Sequence, residues 1–107
     1  MSIDAQVLAL DALREVHTLS GLSEDIIALE KTNQSLMDIY TQNQSTRTDA
    51  KVILELMMAR WYNSSDLDPM QAGIKREEHL LRATNLAKGN NALMMEVHSE
   101  RALLYAD

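Results

Sequence analysis

Residues Ala50–Tyr62 read Ala-Lys-Val-Ile-Leu-Glu-Leu-Met-Met-Ala-Arg-Trp-Tyr, and only Lys51, Glu55 and Arg60 among them carry charge. A helix this apolar on nearly every side cannot lie on a protein surface with one face in water. It must be wrapped by other helices or shared with a second chain. The stretch also holds the only tryptophan, Trp61, and one of the three tyrosines, Tyr62. It predicts a central helix over about 49–63, around which the rest of the chain is organised.

The chain has 107 residues, which sets the expectation of a single helical domain over 1–107. Sixteen acids against 10 bases give a net charge of -6, which disfavours non-specific binding to nucleic acid or to an anionic membrane. The acidity is uneven: residues 1–30 hold Asp4, Asp11, Glu15, Glu24, Asp25 and Glu30 against Arg14 alone. No cysteine is present, which excludes disulfides, thiolate metal ligands and a cysteine nucleophile, and fits a reducing compartment. No apolar run approaches the roughly 18 residues of a membrane span. Asp4 stands where a signal peptide would be basic, so a cytoplasmic protein is expected. One proline and three glycines suit a helical chain. With no phenylalanine and seven methionines, the core must be built from Leu, Met, Ile, Val and Ala, and methionine-rich surfaces adapt to partners.

Ser2 is a fit N-cap for a first helix over about 3–17, with Ile3, Val7, Leu10 and Leu13 or Arg14 at helical spacing. Gly21 reads as its stop. Ser23, followed by Glu24 and Asp25, starts a second helix reaching about 42. Its seam, Leu22, Ile26, Leu29, Asn33, Leu36, Tyr40, steps by fours and threes as a heptad seam does, and Asn33 is a polar residue that can fix register or partner. Thr41–Thr48 has no apolar residue and reads as a loop. Asp68-Pro69 is a strong helix start. The fourth helix, 69–88, is expected to turn Met70, Ile74, Leu80, Leu81, Thr84 and Ala87 inward, with Lys75, Arg76, Glu77, Glu78 and Arg82 outward. Lys88-Gly89 ends it. Asn90 or Asn91 caps a last helix to about 105, whose apolar side is Leu93, Met94, Val97, Leu104 and Tyr105. No stretch alternates with period two. The fold class expected is all-α, a small helical bundle of four to five helices.

The chain is poor in chemistry. None of His17, His79 or His98 has a carboxylate or second histidine at i±3 or i±4, so each reads as a surface or boundary residue and no metal site is expected. Asp11 with Glu15 and Glu96 with Glu100 are paired carboxylates, yet no Glu-x-x-His motif accompanies them. Gly21, Gly73 and Gly89 are isolated, so there is no phosphate-binding loop, and no nucleophile elbow occurs. No cofactor and no enzymatic activity are expected. Segments 3–17 and 23–42, joined at a glycine turn, offer the alternative of a helix-turn-helix-like DNA-associated transcription regulator. The second segment is acidic on balance, which counts against it. A metal-dependent helical enzyme ranks last.

Helix 49–63 ending in Trp61-Tyr62, helix 69–88 with Leu80 and Ala83, then Gly89-Asn90 and a helix ending Leu104-Tyr105 resemble a tetratricopeptide repeat followed by the first helix of another. The linker is longer than that pattern has, and Lys88-Gly89 stand where its proline would be. The resemblance implies a groove for a peptide or partner helix. The residues by themselves point to a small non-enzymatic interaction protein: a chaperone, adaptor, inhibitor or regulatory subunit that buries apolar helix faces against a protein partner or itself. The expected interface is Leu22, Ile26, Leu29, Asn33, Leu36 and Tyr40 with Met57, Met58, Trp61 and Tyr62. The expected assembly is a homodimer or hetero-oligomer.

Overall fold

The computed structural model describes residues 2–20, 23–43, 45–63 and 66–105, the side chains of 17–20 and 23–26 excepted. They form five helices: α1 (Ile3–Ser20), α2 (Ser23–Gln42), α3 (Thr48–Asn63), α4 (Pro69–Ala87) and α5 (Asn91–Tyr105). No strand occurs among the described residues, and the fold class is all-α, a small helical bundle. The chain divides into two compact units, Met1–Ala50 and Lys51–Asp107, with the boundary in the first turn of α3.

Local signals explain where the helices begin and end. Ser2 Oγ accepts the Ala5 N–H at 3.1 Å, capping α1. α1 continues past the expected end at 17 to Ser20, while Gly21 lies outside the described residues. α2 takes in Thr41 and Gln42 from the polar segment. Thr41 is helical, and its hydroxyl donates to the Met37 carbonyl at 2.9 Å. Asn43 then adopts a left-handed φ of 52° and donates its N–H to Tyr40 O, a C-terminal stop that asparagine tolerates. Asp68 accepts the Gln71 N–H with Pro69 at the first helical position, and Asn90 accepts the Leu93 N–H at 3.1 Å. Gly89, at φ 85°, separates α4 from α5.

In the first unit α1 packs on α2. Val7 and Leu36 are fully buried, with Thr32, Ile39 and Arg14 nearly so. Among the described side chains the buried face of α2 therefore runs Thr32–Leu36–Ile39, rotated by about 70° from the expected seam at 100° per residue. Leu29, Asn33 and Tyr40 flank it half-buried, Leu22 lies outside the described residues, and Ile26 is described only in its backbone.

In the second unit Val52, Leu56 and Ala59 of α3 meet Leu80, Ala83 and Ala87 of α4 and Leu93 and Val97 of α5 in one apolar core. Leu86, Met94 and Leu104 pack on its rim. All six residues from Leu54 to Ala59 are buried.

The expectation for α4 is corrected in part. Leu80 and Ala87 do face inward, but Met70, Ile74 and Leu81 are 73%, 50% and 59% exposed. At about 100° per residue these three form one stripe, roughly 140° around the helix from the buried one. The buried stripe is His79, Leu80, Ala83 and Ala87. Its two alanines let the helix axes approach closely, which the larger residues would prevent.

Candidate functional site

The middle of α3 is apolar, so the one acidic residue there, Glu55, has to find a partner inside the fold. Glu55 lies one turn from Ala59 and two turns from Tyr62, and it is 7% exposed. Across from it, α4 places His79, 5% exposed, with Nδ1 3.0 Å from Glu55 Oε2. The contact is within hydrogen-bond distance and satisfies one polar atom of each buried side chain. The imidazole stacks on the Tyr62 ring, with centroids 5.5 Å apart and planes 16° from parallel. Tyr62 in turn meets Trp61 edge to face at 4.9 Å. A polar and aromatic chain thus runs from buried Glu55 through His79 and Tyr62 to Trp61, which is 45% exposed.

Further pairs tie the same three helices together. Arg60 of α3 donates to Glu100 of α5, Nη2 to Oε2 at 2.9 Å, and Glu100 is 3% exposed. Arg76 donates to Asn63 Oδ1 at 2.8 Å and lies 4.5 Å over the Tyr105 ring. Arg101 reaches Glu77 at 3.3 Å. The histidine expected at the surface or boundary is therefore a buried, paired residue, and His98 alone of the two described histidine side chains is exposed. The expected carboxylate pairs are also spoken for: Asp11 bonds Arg14 at 2.7 Å, and Glu100 bonds Arg60. Among the described residues no group of three or more histidine or carboxylate side chains is placed to hold a metal ion.

This chemistry suits structure more than reaction. Glu55 and His79 are both too buried to meet a substrate without opening of the unit. The accessible concave surface lies elsewhere on the same unit. An open groove of about 620 Å³ is lined by Met70, Gly73, Ile74 and Leu81 of α4, with Arg76, Glu77 and Arg101 on its rim. In the first unit a groove of about 420 Å³ runs between Gln6, Ala9 and Leu10 of α1 and Ser35, Asp38 and Ile39 of α2.

Of the interface residues expected from sequence, Leu36, Met57 and Met58 are buried by their own chain, and Leu29, Asn33, Tyr40 and Tyr62 are half-buried. Trp61 is the most exposed. The exposed stripe of α4 consists of residues whose apolar character predicts burial. Glu55 and His79 lie on different helices, so spacing along one helix does not pair them. A signal of the contact is present all the same: a single carboxylate in the apolar middle of a helix requires a polar partner. The α1–α2 junction, on which a helix-turn-helix reading depends, includes Gly21 and Leu22, outside the described residues. The chain has no significant match to a protein-family model, a curated protein or a solved structure.

Proposed function

We propose that the chain is a small non-enzymatic interaction protein of the cytoplasm, acting through helix-to-helix contact with an amphipathic helix of a protein partner. One observation carries the reading. Met70, Ile74 and Leu81 are aligned and exposed on one stripe of α4, beside an open groove whose floor includes Gly73. The stripe spans the 12 residues from Met70 to Leu81, about 16 Å at the helical rise, which matches roughly three turns of a partner helix. Exposed apolar surface that is contiguous and rimmed by charge marks an interaction site more often than a scatter of single residues does. Arg76, Glu77 and Arg101 supply the rim. Trp61, from the interface expected by sequence, is a further exposed aromatic anchor on this unit. Chaperone, adaptor, inhibitor and regulatory subunit all use this mechanism.

The test compares the wild-type chain with a Met70→Glu/Leu81→Glu variant. Both positions are exposed, so the variant retains its helical content and melting temperature. Sedimentation at tens of micromolar reports self-association, and co-purification from the source cell reports other partners. A species that the wild type forms and the variant loses supports the reading. A monomer in both cases, with identical co-purifying proteins, overturns it.

A further inference from the structure

The charges around the groove on α4 are not evenly matched. Glu77 takes Arg101 at 3.3 Å, and Glu78 takes Lys75 at 3.6 Å, so each of these carboxylates has a cation beside it. Arg76 meets neutral groups instead. Its Nη1 donates to the side-chain oxygen of Asn63 at 2.8 Å, and its guanidinium lies 4.5 Å over the Tyr105 ring. Its Nε is buried and has no hydrogen-bond partner among the described residues, so the guanidinium is not satisfied by the fold alone. Residues 51–107 hold seven bases against eight acids, so this unit carries only a small part of the chain's net charge of -6.

Three helices set the position of this cation. A long side chain on a helix leans toward the N-terminal end, over the turn before it. Nη2 of Arg76 accordingly comes to 4.0 Å from the place where a Cβ on Gly73 would stand. Gly73 lines the groove together with Met70 and Ile74 of the exposed stripe. Asn63 of α3 and Tyr105 of α5 hold the guanidinium in place, so little side-chain freedom remains to be lost when an anion meets it. An apolar groove with one prepositioned guanidinium at its edge favours a carboxylate set beside apolar side chains, and disfavours a second cation.

We propose that the occupant of this groove is an acidic amphipathic helix of a protein partner. Its apolar face lies on Met70, Ile74 and Leu81, and an aspartate or glutamate at the edge of that face meets the Arg76 guanidinium. The inference rests on the reading of the α4 stripe as a docking surface and adds the partner's charge to it. Apolar burial supplies the affinity, and the Arg76 contact decides which helices are accepted. A basic helix of the same apolar content brings like charge to the guanidinium and is rejected.

The probe is a displayed library of amphipathic helices long enough to follow the stripe, about 18 residues. Their apolar face is fixed as leucine and alanine, and the positions at its edge vary among Glu, Gln, Lys and Ala. Selection on the wild-type chain is expected to enrich Glu at an edge position, with binding lost on a Met70→Gln/Leu81→Gln variant. A selected peptide is then synthesised with Glu or with Gln at that position. On wild type the Glu form is expected to bind about fivefold more tightly, the upper end for an exposed ion pair. On Arg76→Gln the two forms are expected to agree within about twofold. Both peptides are measured on one protein, so a change in its stability cancels. Stripe-dependent binders without a Glu preference, with Lys at the edge, or with a preference that persists on Arg76→Gln overturn the inference and leave the docking surface standing. No stripe-dependent binder at all overturns both. A dimer of the chain that the same double variant abolishes places a second copy in the groove and overturns the acidic partner. Should Arg76→Gln not fold, Arg76→Lys keeps the charge but loses the planar fork, and the Glu preference is expected to fall by about half. An unchanged preference there overturns the proposal equally.

Discussion

His79 and Glu55 form a buried polar contact between α4 and α3, with Nδ1 3.0 Å from Oε2. The His79 ring also stacks on Tyr62. Replacing His79 alone by leucine leaves Glu55 buried without this partner and is expected to cost about 1–3 kcal/mol. Replacing both by leucine removes the buried carboxylate as well, so the double variant is expected to cost less than the sum of the singles. Urea unfolding of the four chains in a double-mutant cycle measures the coupling. Additive single effects would show that the contact carries no specific energy.

Arg60 and Glu100 make the corresponding tie between α3 and α5, but with unequal burial. The Glu100 side chain is 4% exposed and that of Arg60 35%. Removing the arginine strands a carboxylate among apolar groups, so Arg60→Leu is expected to destabilise by about 3 kcal/mol, the lower end of the range for a buried pair because water reaches the guanidinium. Lys75→Ala breaks only the exposed pair with Glu78 and is expected to change stability by less than about 0.5 kcal/mol. Chemical denaturation midpoints separate the two outcomes.

Two glycines on α4 and its exit call for opposite results from one substitution. Gly73 sits inside the helix, and an added Cβ would meet only Arg76 Nη2 at 4.0 Å, an ordinary contact. Gly73→Ala is therefore expected to stabilise by about 0.5–1 kcal/mol through lower chain entropy in the unfolded state. Gly89 has open space around it but a φ of +85°. Gly89→Ala is expected to destabilise by about 1–2 kcal/mol from backbone strain alone. Thermal melts of the two variants should move in opposite directions, and a shared direction would contradict the backbone assignment.

Local chemistry made the helices legible in the sequence. Ser2, Asp68-Pro69, Asn90 and Gly89 act within one turn of themselves, so reading them requires no tertiary knowledge. The burial of residues 54–59 in α3 followed just as directly from composition. The orientation of α4 did not, because counting large apolar residues favours the Met70–Ile74–Leu81 stripe. Packing instead selected the stripe with Ala83 and Ala87, where close approach outweighs side-chain size. Glu55–His79 and Asp4–Ser45 are pairs separated by 24 and 41 residues, so no search along one helix face could find them. The interface expected on α2 illustrates the same limit: a regular seam shows that a face will be covered, but not by what.

Asp4 of α1 accepts hydrogen bonds from Ser45 Oγ at 2.7 Å, from Thr46 Oγ1 at 2.8 Å and from the Thr46 and Arg47 N–H groups, and acid tests that cradle. The Asp4 carboxyl is held well below the ordinary value of 3.8, first by the hydrogen bond from Ser45 and then by the Thr46 and Arg47 N–H groups and the Thr46 hydroxyl, which together outweigh the opposing effect of burial. A carboxylate whose folded-state pKa is lowered contributes stability that is fully present above its unfolded-state value. That contribution is lost as pH falls through the interval down to the folded-state value. The first unit is therefore expected to weaken progressively below about pH 4. Asp4→Asn removes this titration, so the variant should be less stable than wild type at neutral pH, with the gap narrowing as acid is added. Far-ultraviolet circular dichroism melts at pH 7 and pH 3 measure the gap at each end. A difference between wild type and Asp4→Asn that is the same at both values would show that the carboxylate charge is not what holds the cradle.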